Sequence, residues 1–221
     1  MAAMTELILI RHGETDWNVE RRLQGHLDVA LNAEGERQAA AVAAALSAEQ
    51  VHAVYASDMQ RTQLTAQAIA APRGMQVLTD PALRERCYGD LQGLTHEEIS
   101  VRYPQDYAAW HAREPDVRYA SQQVVAETLR EFSARAVGAV IALARQAAAG
   151  SDPKKIVIVT HGGVLDCVHR HAASHGLQQP RNFDLLNASI NRLSWDGRSL
   201  QIRQWGEAAH LAQPALDEIE R

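Results

Sequence analysis

Residues 7–13 read Leu-Ile-Leu-Ile-Arg-His-Gly, and residues 156–162 read Ile-Val-Ile-Val-Thr-His-Gly. Each is a run of four apolar residues that leads, one residue later, into a His-Gly step. An unbroken apolar run of this length suits a strand covered on both faces, the usual state of strands in a parallel sheet. In open α/β sheets, ligands bind beyond the carboxyl ends of the strands. His12 and His161 are therefore expected at one edge of one sheet. Glycine after each histidine lets the backbone approach a ligand closely. The N–H groups that open a helix after His161 can also face an anion.

A third short apolar segment, Ala53 to Ala56, runs into Ser57-Asp58-Met59-Gln60-Arg61-Thr62. This puts Arg61 near the start of the next helix, at the same edge. Guanidinium groups match phosphate oxygens with paired hydrogen bonds. Arg11, Arg61 and the two histidines together make a pocket for a dianion. Taken singly, a histidine after a strand is more often structural, and an arginine at a helix start is usually solvated. The signal lies in three strand ends that agree.

The rest of the chain alternates in the same manner. Asn32 can cap a helix over Glu34 to Leu46, and Met59 to Ala71 reads helical up to Pro72 and Gly74. Met75 to Leu78 is a weaker strand. The stretch from Thr95 to Ala120 reads as short helices and loops. Val124 to Ala149 reads as a long helix ended by Gly150 and Pro153, and Gly162 to Ser174 as another. Ser189 to Trp195 and Leu200 to Trp205 flank Asp196-Gly197, a hairpin signal. The pattern predicts an α/β fold of three layers, α/β/α, with a mostly parallel central sheet. No Pro/Gly/Ser-rich linker divides it, so residues 1–221 are expected to form a single domain.

Composition narrows the function. The 221 residues carry a formal charge of −5 and no Lys/Arg run, so nucleic acid is not an expected partner. A chain of this length buries about 70% of its unfolded surface and needs no staple. Cys87 and Cys167 are too few for a disulfide framework. The first residues, MAAMTELILIRHGE, read as neither a signal peptide nor a membrane span, so a cytoplasmic protein without membrane attachment is expected. His161, His169, His171 and His175 invite a metal reading, with His171 and His175 at helical i, i+4 spacing. No Glu follows His171 as an HExxH motif requires, so they read better as polar helix-face residues, and no metal is expected. Cys87 reads as a packing residue. Trp17, Tyr88, Tyr107 and Trp110 fit a substrate cleft or a core equally well.

Five blocks, LILIRHGETDWN, RRLQGHLDVALNAEGERQA, YASDMQRTQLTAQAI, LRERCYGDLQG and IVIVTHGG, follow one another from residue 7 to about residue 165. Together they resemble the histidine phosphatase superfamily, which holds the cofactor-dependent phosphoglycerate mutases and their phosphatase relatives. The resemblance implies a phosphoglycerate mutase-like fold, with His12 as the phosphorylated nucleophile. It implies that Arg11, Arg61 and His161 bind phosphate, that the Asn18 amide contacts the transferred phosphoryl group, and that Glu85 is the general acid. The resemblance also implies the backbone N–H of Gly162 as a further phosphate contact. Gln24-Gly25 is more similar to the phosphatase branch and belongs with the substrate-binding set.

The same comparison favours hydrolysis. Mutases of this kind carry a longer insertion with a paired arginine for the substrate carboxylate. Here Leu94 to Ala120 is short, and Arg102, Arg113 and Arg118 are scattered. The expected activity is hydrolysis of a small phosphorylated metabolite through phosphohistidine, without a cofactor. A 2,3-bisphosphoglycerate-dependent mutase is the alternative, and a non-catalytic phosphate-binding module a third. The filled catalytic positions argue against the module. A homodimer is left open. Two departures stand out: Ala30 where the phosphatases commonly have proline, and Ala126-Glu127-Thr128 where they commonly have Gly-Glu-Ser. The first is expected to loosen a loop, the second to blur a helix start.

Overall fold

A computed structural model of the chain describes residues 4–122, 124–149 and 154–218. Strands β1 (Thr5–Arg11), β2 (Ala53–Ala56), β3 (Val77–Thr79) and β4 (Lys155–Thr160) are parallel; β5 (Ile190–Trp195) and β6 (Leu200–Glu207) form the antiparallel hairpin. The strand order is β3-β2-β4-β1-β5-β6. The helices are α1 (Asp16–Val19), α2 (Ala33–Ala45), α3 (Gln60–Ala70), α4 (His96–Arg102), α5 (Pro104–His111), α6 (Leu129–Ala147) and α7 (Gly162–Ala172).

The apolar runs explain the layers. Side chains alternate across a strand. Leu7, Leu9, Ile156 and Ile158 pack with α6 and α7, whereas Ile8, Ile10, Val157 and Val159 pack with α2 and α3. All eight are essentially without solvent contact, and each contributes about 1.5–3 kcal/mol by burial. A third cluster, built on Leu91, Ile99, Trp110 and Tyr119, roofs the sheet edge where the strands end.

Three expectations are corrected. First, the long helix starts at Leu129 instead of Val124, and its start is sharply defined. Thr128 and Glu131 form a reciprocal capping box, an arrangement whose cap alone is worth about 1 kcal/mol. Gly150 and Pro153, read as its end, lie outside the described residues. Second, α7 ends at Ala172, and Ser174 turns the chain with φ +57°, so His175 does not share a helix face with His171. Third, His169 is a packing residue: its ring stacks on Phe183 at 3.6 Å, and burial pushes its pKa down to about 4. The loop that leads to Ala30 is tied before it: Arg61 donates to the carbonyls of Gly25 and Leu27, and Asp28 accepts from Gln60 N.

Candidate active site

β1 and β4 are neighbours in register, Arg11 opposite Thr160, and the His12 N–H donates to the Thr160 carbonyl at 2.9 Å. The two His-Gly steps therefore leave adjacent strands side by side. The rings of His12 and His161 lie 5.3 Å apart, centroid to centroid, edge to face. On the far side of β4, β2 delivers Ser57, whose hydroxyl lies 2.8 Å from His161 Nε2. Arg11, His12, Asn18, Gln24, Gly25, Arg61, Glu85 and His161 all line one pocket, joined by Tyr88 and Glu218. Gly162 is not itself in the lining but lies against one lining residue: a Cβ there would lie 1.8 Å from Glu218 Oε2.

His12 is held in one tautomer. Its Nδ1 is 2.7 Å from the Gly13 carbonyl oxygen. A carbonyl can only accept, so Nδ1 carries the proton and Nε2 keeps its lone pair. Burial, reinforced by the charges of Arg61 and Arg11, holds the imidazole pKa well below its ordinary 6.5. The backbone around it is fixed from behind. Asn187 Nδ2 donates to the His12 carbonyl at 3.0 Å, and Ala188, at φ +56°, donates its N–H to the Arg11 carbonyl at 3.1 Å.

His161 is also pressed toward neutrality, by burial first and Arg61 second. A bound dianion would oppose both effects. Arg61, fully buried, is lowered to about 10 by desolvation and remains a cation at neutral pH. Asn18 closes a capping box in which its Oδ1 accepts the Thr15 N–H at 3.0 Å. This fixes which end of the amide is the acceptor and leaves the NH₂ as the donor end.

Several buried polar atoms of the lining residues have no hydrogen-bond partner: Arg11 Nε, Arg61 Nε, His161 Nδ1 and Gln24 Oε1. Each such atom costs about 1–3 kcal/mol. Grouped around one pocket, the nitrogens describe a place prepared for a ligand with several acceptors, and Gln24 Oε1, which can only accept, asks for a donor beside them.

Glu85 faces the histidines from the loop before α4. Its carboxyl accepts the N–H of Gly163 at 2.8 Å and of Arg86 at 2.7 Å. Its carbonyl accepts from His26 Nε2 and Arg135 Nη2. Burial raises the Glu85 pKa to about 7, with a second contribution from the Glu218 carboxylate, against Arg61 and the two N–H donors. A group poised near neutral pH suits proton transfer in either direction.

A second cleft continues from this pocket. Tyr88, Trp110, Leu129, Phe132 and Leu185 supply apolar walls, and Arg86, Arg113 and Arg181 supply cations. Arg86 Nη2 is buried without a partner. Of the aromatics weighed from sequence, Tyr88 and Trp110 line this cleft; Trp17 and Tyr107 line neither pocket. Of the scattered arginines, Arg113 lines it and pairs with Asp166 at 2.5 Å, whereas Arg118 pairs with Glu131 and Arg102 is exposed. Cys87 is buried and lines neither pocket. Sequence reasoning missed Ser57, Asn187, Arg135, Arg181 and Glu218. Ser57 had a readable signal, its place at a strand end; the others touch the site across long stretches of chain.

The sequence matches the profile of the histidine phosphatase superfamily (branch 1) over residues 7–208. The chain belongs to that superfamily. The chain is 40% identical over 212 residues to Phosphoglycerate mutase-like protein 4 of Arabidopsis thaliana, covering 94% of this chain and 87% of the relative. It is 33% identical to the Metal-independent phosphoserine phosphatase of the same plant, over 95% of this chain and 84% of that one. Its fold is similar to the solved structure of Bacillus stearothermophilus YhfR, with a TM-score of 0.82 and 31% identity over 94% of this chain and 99% of that chain. The three-layer α/β architecture is thus the phosphoglycerate mutase-like fold expected from the sequence. Among the described residues, no helix is long and apolar enough to cross a membrane.

Proposed function

We propose that this member of the superfamily is a phosphomonoesterase that hydrolyses a small phosphate ester through phosphohistidine on His12, with residues 1–221 acting as one domain. The bond from His12 Nδ1 to the Gly13 carbonyl carries the reading, since it leaves a neutral imidazole with its nucleophilic nitrogen unprotonated. In the first step Nε2 attacks phosphorus and the P–O bond to the ester oxygen breaks. The proton of Glu85 passes to the leaving oxygen. In the second step water attacks phosphorus, Glu85 takes the water's proton, and the P–N bond breaks to release phosphate. Arg11, Arg61, His161, the Asn18 amide and the N–H of Gly162 would bind the phosphoryl oxygens, where negative charge spreads in the transition state. Gln24 and Gly25 would bound the substrate beside them.

The neighbouring cleft supports a leaving group with both carbon surface and an acidic function, because apolar walls surround the unpartnered Nη2 of Arg86. Positive charge at the phosphoryl group would come from arginine and imidazole, so activity is expected to persist in EDTA and to be inhibited by orthovanadate. The test is brief mixing with a ³²P-labelled ester, followed by quench in alkaline detergent. Acid-labile, base-stable label on His12 is expected; steady turnover without it would remove the mechanism, and binding without turnover would leave only a recognition module. One observation favours a mutase, the likeness to the mutase-like plant protein. Interconversion of phosphoglycerates stimulated by 2,3-bisphosphoglycerate, faster than hydrolysis, would decide for it.

A further inference from the structure

The phosphate pocket of the free protein already holds an anion. Glu218 Oε2 lies 2.8 Å from Arg11 Nη2, against the Cα of Gly162 where α7 begins. Glu218 lines both the histidine pocket and the neighbouring cleft. The segment that carries it is docked at every residue. The Leu216 carbonyl accepts the Asn187 N–H at 2.9 Å, and Asp217 Oδ1 accepts the Leu185 N–H at 2.8 Å. Arg181, only 3% exposed, donates to Asp217 Oδ1 at 2.9 Å and to the Glu218 carbonyl at 3.0 Å. A buried arginine has been committed to holding this strap in place.

We propose that Glu218 is a specificity-determining residue: its tethered carboxylate fills the phosphate site, and only an anion that satisfies more of the pocket's donors displaces it. The proposal rests on the reading of this pocket as a phosphate site. The carboxylate takes one donor of Arg11 and leaves Arg11 Nε, Arg61 Nε and His161 Nδ1 without partners. A planar group with two oxygens cannot reach donors that diverge around a tetrahedral ligand. A phosphate dianion has three free oxygens and a second charge, so it gains contacts that the strap does not make. A free monocarboxylate gains none, and it competes against a tethered copy of itself present at millimolar effective concentration or above. The strap thus excludes abundant carboxylate metabolites while it lowers the apparent phosphate affinity by the fraction of molecules in which it is docked.

The test is calorimetric titration of inorganic phosphate and of acetate into the wild type, Glu218→Gln and Glu218→Ala. Gln keeps the shape of the side chain and loses its charge. Both variants are expected to bind phosphate about tenfold more tightly. Acetate is expected to bind the variants measurably and the wild type not at all, so the preference for phosphate narrows. Phosphate affinity that is unchanged or weaker in both variants overturns the proposal, as does an acetate affinity equal to that of the wild type. Arg61→Ala separates the two levels of the argument. If phosphate binds the wild type and Arg61→Ala equally, or binds neither the wild type nor the Glu218 variants, the phosphate-site reading fails and the proposal with it.

Discussion

The two His-Gly steps are near copies in sequence, and the fold uses them differently. His12 is restrained through Nδ1 by the carbonyl of its own Gly13. His161 is touched through Nε2 by the hydroxyl of Ser57, and its Nδ1 is bare. After His12 the chain wanders through Gly13 and Glu14 before a four-residue helix. After His161 the long helix α7 begins at once, and its Gly163 N–H holds Glu85. The first step presents a lone pair. The second presents hydrogen-bond donors and the acid. In the proposed mechanism, identical dipeptides at neighbouring strand ends would thus take opposite sides of one reaction, and what differs between them is which ring nitrogen is restrained.

Removing the lone pair should have the largest effect. His12→Ala is expected to lower turnover by up to about 10⁶-fold with the fold retained. Circular dichroism and steady-state rates check both halves; wild-type-like activity in a folded variant would end the assignment. Removing the acid comes next. Glu85→Gln should slow phosphorylation by alkyl phosphates about 10²–10⁴-fold, and by p-nitrophenyl phosphate much less, because that leaving group needs little protonation. Single-turnover rates on both substrates decide it, and an equal loss on each would remove Glu85 from the role. The same pair sets the pH profile. His12, held well below 6.5, stays neutral in mild acid, whereas Glu85 loses its proton as pH rises through about 7. The alkyl phosphorylation rate should therefore fall on the alkaline side of about pH 7.

The second histidine is a weaker lever. His161→Ala removes one donor from the oxyanion environment and should cost about 10²–10³-fold, with phosphohistidine still formed slowly. Ser57→Ala leaves His161 in place but frees its Nε2, so a loss of only a few-fold is expected. If Ser57→Ala matched His161→Ala, the hydroxyl and not the ring would be the working group of the second step.

The smallest effect is on stability. Glu85 keeps its proton in the folded protein up to about pH 7, whereas the unfolded chain releases it near the ordinary 4.5. Stability is unaffected below 4.5, is lost as pH rises through that window, and the loss is complete above about 7. Glu85→Gln cannot ionise. Its advantage over the wild type should grow from pH 5 to pH 8 by on the order of 3 kcal/mol, read by urea unfolding at each pH. An advantage independent of pH would mean that the carboxyl is not held protonated.

What could be read in advance followed from locality. The Leu-Ile-Leu-Ile and Ile-Val-Ile-Val runs fix which strands are buried on both faces, and a strand end carries its next residues to the sheet edge. Arg11, His12, Arg61 and His161 were therefore legible together. Asn18 and Glu85 were legible only through family resemblance, since neither stands at a strand end. Thr128 is readable as a cap from its spacing to Glu131, but helix propensity carries the helix signal back to Val124 and hides it. Glu218, Arg181 and Asn187 were not legible. Glu218 and Asn187 reach Arg11 and His12 across most of the chain, and Arg181 joins them through the Glu218 carbonyl; no local pattern records such contacts. His169 failed for a related reason: the ring that buries it, Phe183, lies beyond the end of its helix.

The place of β1 in the sheet has a consequence for synthesis. It is the first strand made, yet it lies between β4 and β5, whose residues follow some 140 and 180 positions later. At translation speeds of about 5–20 residues per second, Leu-Ile-Leu-Ile waits on the order of ten seconds with both strand edges unpaired. For that interval it is a sticky apolar ribbon on the surface of a nascent chain, open to β-pairing with its neighbours on a polysome. Arg11 and His12, fixed at the end of that ribbon, cannot meet His161 any sooner. The pocket they line therefore forms only after β4 is made, and yield in overexpression should depend more on holdase chaperones during the first two thirds of synthesis than on the stability of the finished protein.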